Sequence, residues 1–172
     1  MKTKRVIVES YDPQWSKDFE AIRQELSQAL GDLALAIHHV GSTAVPDLSA
    51  KPIIDIDVEI VSYAVFPRVV ARLAEAGYSH EGDLGISKRE AFCYEGKSHL
   101  RKHHLYVCPS DSEELHRHIT FRNYLRSHPE AVKAYSAVKK EAARLFPDSI
   151  DDYMAHKSAC IEQLYLLCGL KK

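Results

Sequence analysis

His39-Val40-Gly41-Ser42-Thr43-Ala44-Val45-Pro46, followed by Lys51-Pro52-Ile53-Ile54-Asp55-Ile56-Asp57-Val58, is the stretch whose reading decides the fold of this chain. Aspartate is a poor strand former, yet two of them stand in a run whose other members favour strands. Alternation along a strand puts Asp55 and Asp57 on one face, about 7 Å apart, and turns Ile54, Ile56 and Val58 towards the core. Two carboxylates aimed at one region suit a divalent cation, and a divalent cation suits phosphate chemistry. The competing reading is a solvated sheet face that carries charge. Glu59 shares the face but lies about 14 Å along the strand from Asp55, too far to share an ion with it. Further ligands must therefore come from elsewhere in the chain, or from substrate phosphate and water. The Gly41-Ser42 pair stands upstream of the aspartates. Glycine lets backbone approach a ligand closely, and successive amides in such a turn hold phosphate oxygens.

The bulk properties set the frame. The chain has 172 residues, 45% of them hydrophobic and 27% charged, with a net charge of −1. One domain spanning 1–172 is the simplest division, and a chain of this size buries enough surface to fold without a disulfide or metal staple. The charge balance argues against a strong non-specific nucleic-acid binder. No apolar run reaches a membrane span, and the Met1-Lys2-Thr3-Lys4-Arg5 start lacks the apolar segment of a signal peptide, so the expectation is a cytoplasmic protein with no membrane partner. Cys93, Cys108, Cys160 and Cys168 form no C-x-x-C pair and fit no zinc spacing. They read as buried free thiols.

Outward from the acidic stretch, the pattern predicts a short strand over 6–8. A helix with Asp12 as N-cap and Pro13 at N1 follows, then a strand over 33–40. The acidic strand covers 53–61, a helix 66–76, and a loop 81–85. Two strands, 91–94 and 103–108, flank a basic loop, Gly96 to Lys102. Helices are predicted over 112–127, 130–145 and 149–168. The fold class is α+β: a small mixed β-sheet with helices packed on it and a helical C-terminal third.

A hydrophobic residue, Gly-Ser, an interval of about a dozen residues and then Asp-x-Asp between apolar residues resembles the signature of the nucleotidyltransferase superfamily, with its polymerase-β-like fold. In that superfamily the Gly-Ser turn holds the triphosphate and the Asp-x-Asp pair binds magnesium. Three segments narrow the resemblance to the GrpB family. They are the opening stretch, His103-His104-Leu105-Tyr106-Val107, and Arg117-His118-Ile119-Thr120-Phe121-Arg122-Asn123-Tyr124-Leu125-Arg126. Tyr11-Asp12-Pro13-Gln14-Trp15, Tyr153 and Lys157 also fit it. The resemblance covers almost the whole chain and implies a nucleotidyltransferase-like fold. A similar domain is fused to dephospho-CoA kinase in some bacteria, and the resemblance speaks to fold more than to function.

The chain departs from the superfamily where a third acid is expected. Residues 103–107 offer none; His104 and Tyr106 share one face there. His104 is either an ion or phosphate ligand or a strand histidine bonded to backbone, and histidine suits transition metals better than magnesium. Asn123 stands where many relatives carry aspartate. Lys88-Arg89 occupies the place of a basic pair in relatives, which nominates Arg89 as a phosphate contact.

Two cations sit on apolar helix stripes, where charge is costly unless paired. Arg122 shares its stripe with Leu115, His118, Ile119 and Leu125, and reads as a phosphate contact. Lys157 shares its stripe with Tyr153, Ile161 and Leu164, and reads as structural. Lys51 either holds phosphate or neutralises the aspartates. His116 and His118 point to different sides of their helix, which speaks against a joint metal site.

The expected function is nucleotidyl transfer from a nucleoside triphosphate to an acceptor. Gly41, Ser42, Lys51, Arg89 and Arg122 hold phosphate, and Asp55, Asp57 and His104 hold magnesium or manganese. Asp55 and Asp57 are also the catalytic pair. The expected ligand is a nucleotide or a phosphorylated small molecule. The alternative is a non-catalytic module that binds a nucleotide, a phosphate ligand or a partner such as a CoA-pathway kinase. A histidine-rich transition-metal hydrolase is a third reading and requires another histidine beside His104.

Overall fold

The structure, a computed structural model, describes residues 5–170. Five strands form one mixed sheet in the order β1-β2-β5-β4-β3. These are β1 (Ala36–Val40), β2 (Ile54–Ile60), β3 (Tyr78–Gly82), β4 (Glu90–Tyr94) and β5 (His103–Pro109). β2 runs antiparallel to β1 and parallel to β5, and the outer pairs β5–β4 and β4–β3 are antiparallel. The register sets Asp55 opposite both Val40 and His104, and Asp57 opposite both His38 and Tyr106.

The even-numbered apolar residues of β2 explain why its aspartates face the other way. Ile54, Ile56, Val58 and Ile60 are fully buried. They pack on α1 (Gln14–Leu30), through Trp15, Ile22, Leu26 and Leu30, and on α2 (Phe66–Glu75), through Val69 and Leu73. Burying each such side chain contributes about 1.5–3 kcal/mol. This core fixes which face of β2 is free for charge, because a slip of one residue would exchange the two faces. The helix α1 begins at Gln14 with Pro13 as its N-cap, one residue later than expected, and the Asp12 carboxylate accepts from the Gln14 amide at 2.9 Å.

The opposite face of the sheet is partly covered by the C-terminal third. There α3 (Glu113–Arg126), α4 (Pro129–Leu145) and α5 (Ile150–Leu167) follow one another, with Ser112 and Ser149 capping α3 and α5. A second core joins Val45 and Leu48, from the connection after β1, to Leu125, Val132, Tyr135 and Leu164. The loop that holds Gly41 and Ser42 is thereby clamped between sheet and helices. Among the described residues no helix is long and apolar enough to cross a membrane.

Several expectations shift. Residues 6–8 form no strand; Val6 donates its amide to the Pro147 carbonyl at 2.7 Å, and a single bridge links Glu9 to Ala50. Gly31–Leu33 is a turn of 3₁₀ helix, so β1 starts at Ala36. β3 was not expected: it is an edge strand with only Tyr78 buried, so it lacks the alternation that marks a strand. All four cysteines are free, but of the four only Cys108 is buried; Cys160 and Cys168 are half-buried and Cys93 is exposed.

Candidate functional site

Gly41 ends β1 with φ 73° and ψ −173°, a region that is essentially reserved for glycine. Its α-carbon lies against the Asp55 carboxylate, so closely that an added methyl group would overlap a carboxylate oxygen. A 3₁₀ turn, Ser42–Ala44, follows at once. The Arg126 guanidinium secures this turn by donating to the Ala44 carbonyl at 2.9 Å, and Arg122 donates to the His39 carbonyl at 3.0 Å. His39 bonds Thr43 at 2.9 Å and stacks on Phe19 at 4.6 Å. Burial, with Arg126 nearby, pushes the His39 imidazole down to about 4, so it is neutral at pH 7.

Beside the turn is a cavity of about 190 Å³ lined by Ser42, Lys51, Asp55, His104, Lys139 and Lys157, among others. Lys139, from α4, is only 3% exposed and donates to the Ser42 hydroxyl. Burial holds its ammonium well below the usual lysine range, and Lys157 adds to this. Lys157, from α5, is pushed down to about 8 by burial and then by Lys51. Its ammonium lies 4.8 Å from the Tyr153 ring centre, and that of Lys51 lies 5.6 Å from it. Three lysines thus converge on a Gly-Ser turn and one carboxylate. Mutual repulsion and lost hydration make such a cluster costly, and an anion between them relieves both costs.

The two aspartates have different surroundings. Asp55 borders the cavity, where its Oδ1 meets His104 Nδ1 at 3.0 Å. Asp57 is completely buried, and its Oδ2 meets His118 Nδ1 at 2.6 Å. His118 Nε2 in turn meets Glu114 at 3.1 Å. Burial opposes charge on this imidazole, but the bonds to Asp57 and Glu114 outweigh it and raise His118 to about 9. It is therefore an imidazolium held between two carboxylates. Asp57 Oδ1 is buried and has no hydrogen-bond partner. Glu59 turns away to His38 and Ser110, so it takes no part here.

The structure brings together Gly41, Ser42, Lys51, Asp55 and His104, with Asp57 on the same face of β2. Arg89 and Arg122 do not line the cavity. Arg89 lies 4.3 Å from the centre of the Tyr106 ring, and Arg122 braces the end of β1. The sequence reading missed Lys139, although the stripe Val132, Tyr135, Lys139, Ala142 on α4 marks it as a cation on an apolar face. It read Arg122 as a phosphate contact and gave His118, which meets Asp57, no role at the aspartates.

Among the described residues no group of three or more His, Cys, Asp and Glu side chains is placed to hold a metal ion. Two carboxylates on one face, with one buried oxygen still without a partner, suit a hard cation that completes its shell with phosphate oxygens and water.

Residues 5–166 match the sequence pattern of the GrpB protein family. The chain belongs to the GrpB family. The UPF0157 protein YqkA of Bacillus subtilis is 34% identical over 92% of the chain, which spans only 46% of YqkA's length. The glutamate-rich protein GrpB of Alkalihalophilus pseudofirmus is 31% identical over 92% of the chain and 93% of its own length. A dephospho-CoA kinase of Mycolicibacterium paratuberculosis is 29% identical over 90% of the chain, which spans 44% of that protein. The crystal structure of GrpB from Enterococcus faecalis superposes with a TM-score of 0.82 at 36% identity, over 94% of this chain and 96% of that one. Cid1 in complex with the UTP analogue UMPNPP superposes with a TM-score of 0.53 at 12% identity, over 78% of the chain and 42% of Cid1. The α+β, nucleotidyltransferase-like fold of this GrpB-family protein is thus established.

Proposed function

We propose that the protein binds a nucleoside triphosphate with a divalent cation and transfers its nucleotidyl group to an acceptor. The observation that carries this reading is the cavity in which a Gly-Ser turn, three lysines and Asp55 meet. Cid1, which shares the fold, has been crystallised with a UTP analogue and with MgATP, which supports a nucleotide as the ligand.

In this reading Gly41 admits the triphosphate against the turn, and the Ser42 hydroxyl and the Lys139 and Lys157 ammonium groups hold its outer phosphates. Lys51 offsets charge at the cavity mouth. Asp55 and Asp57 hold magnesium or manganese, which when bound polarises the phosphate and neutralises developing charge. His104, bonded to Asp55, fixes that carboxylate and lies within reach of phosphate. An acceptor oxygen attacks the α-phosphorus and a new P–O bond forms. The bond from the α-phosphorus to the bridging oxygen breaks, and pyrophosphate leaves with that electron pair. The acceptor proton passes to solvent through the Asp55 carboxylate. Arg89 and Arg122 contribute through their positive field, at second hand.

A second reading rests on Asp57. Its carboxylate is enclosed and already paired with the His118 imidazolium, and no third acid stands on β5. These features favour a binding module that holds a phosphate ligand or a partner without turnover. The similarity to a segment of dephospho-CoA kinases fits a CoA-pathway partner. The two readings separate on incubation with α-labelled triphosphates, manganese and a small-molecule extract. The enzyme reading predicts pyrophosphate release and label transfer that Asp55→Asn abolishes. Binding without either product sinks it in favour of the module.

A further inference from the structure

A second recess of about 610 Å³ opens beside the candidate site, and Lys51 and Ile53 line both. The basic loop forms its far wall, and Arg5 faces it from the N-terminal segment. Some of its positive charge is matched: Arg101 donates to Asp18 at 2.9 Å, and His99 meets Glu25 at 2.9 Å. Arg5 and Lys102 have no carboxylate within ion-pair reach among the described residues. The parallel pairing of β2 and β5 places this charge. Ile53 and Lys102 stand just before the two strands, each two residues ahead of Asp55 and His104. At strand rise that interval is about 7 Å.

We propose that this recess binds the phosphate group of the acceptor, a phosphorylated small molecule whose reactive hydroxyl then reaches Asp55. The inference rests on the nucleotidyltransferase reading of the neighbouring cavity and adds the substrate class. Arg5 and Lys102 hold the acceptor phosphate, and Lys51 stands between that group and the triphosphate. The recess adjoins the cavity at Lys51 and Ile53, so a sugar phosphate or a short phosphate ester held there has its hydroxyl towards Asp55. The hydroxyl oxygen attacks the α-phosphorus of the triphosphate, pyrophosphate departs with the bridging oxygen's electron pair, and the hydroxyl proton goes to solvent. The product is a phosphodiester that retains the acceptor's own phosphate. A polynucleotide fits less well, because Asp18 lines the recess, Glu25 pairs with His99 on its wall and the chain carries a net charge of −1.

The test is a titration of the full chain with inorganic phosphate, followed by backbone amide NMR, beside a titration with a nucleoside triphosphate and magnesium. Phosphate is expected to shift the amides of Ile53 and of Ser98 to Lys102. Arg5→Gln/Lys102→Gln should weaken that binding by about tenfold or more. Phosphate affinity within twofold of wild type in the double variant overturns the proposal, as does phosphate that shifts only residues around Ser42. A 12-nucleotide single-stranded RNA that binds the recess more tightly than phosphate, with a steep salt dependence, overturns the small-molecule class. Phosphate binding in the recess without triphosphate binding near Ser42 overturns the acceptor role together with the enzyme reading. Triphosphate binding near Ser42 without phosphate in the recess overturns the acceptor assignment alone.

Discussion

Gly41→Ala tests the tightest approach made by any glycine among the described residues. The residue holds φ 73° and ψ −173°, where a side chain costs about 1–3 kcal/mol in backbone strain. The new methyl group would also overlap the Asp55 carboxylate and displace it from His104. Loss of that hydrogen bond adds about 1 kcal/mol. The expected destabilisation is about 2–4 kcal/mol, a large share of the roughly 5–15 kcal/mol that stabilises a domain of this kind. Urea denaturation followed by circular dichroism measures it. A double-mutant cycle separates the two terms, because Asp55→Ala removes the overlap with the carboxylate, leaving the 3.0 Å approach to the residue 55 β-carbon and the backbone strain. In the Asp55→Ala background the glycine substitution should cost about 1 kcal/mol less than in wild type. A cost below about 1 kcal/mol in wild type, or the same cost in both backgrounds, would refute the claim that the turn and the carboxylate are in contact.

Lys139→Met should raise stability by about 1 kcal/mol or more, because it removes a buried ammonium whose largest burden is lost hydration, and should abolish triphosphate binding. Thermal unfolding and calorimetry on the same variant check both halves; a fall in melting temperature contradicts the first. His118 has a folded-state pKa of about 9, above its ordinary 6.5, so its stabilisation is complete below pH 6.5 and is lost as pH rises through 9. The shift corresponds to about 3 kcal/mol. Urea midpoints measured between pH 6 and 10 should fall across that window in wild type and show a shallower fall in His118→Gln; parallel curves contradict the assignment. The contact of His118 with Glu114 predicts that Glu114→Gln lowers the His118 pKa, read by histidine ring NMR, and an unchanged titration contradicts it.

Much of this arrangement is legible in the sequence where period and composition coincide. The alternation of Ile54, Ile56 and Val58 with two aspartates fixes both the core face of β2 and the charged face, because only one register buries the isoleucines. Ser112, Ser149 and Asp12 mark helix starts through a chemistry local to a few residues. β3 escapes such a reading because its outer positions are exposed and impose no apolar alternation. The pairing of Asp57 escapes it for a different reason. His118 and Arg122 lie one turn apart on the same stripe of α3, and only the way that helix crosses the sheet decides which of them reaches Asp57. Lys139 carried a readable signal, a cation on an apolar stripe, of the same kind that singled out Arg122 and Lys157. Its partner, the Ser42 hydroxyl, lies far away in sequence and is reached only through the second core.

The central claim, a metal-dependent triphosphate site between the Gly41-Ser42 turn and the paired aspartates, is tested most directly by titration calorimetry. Nucleoside triphosphates are titrated into wild type and Asp55→Asn/Asp57→Asn, each with magnesium, with manganese and with a chelator. The account predicts binding in wild type that requires the metal and is weakened at least about tenfold in the double variant. Binding that is indifferent to the metal, or equal in the two proteins, contradicts it.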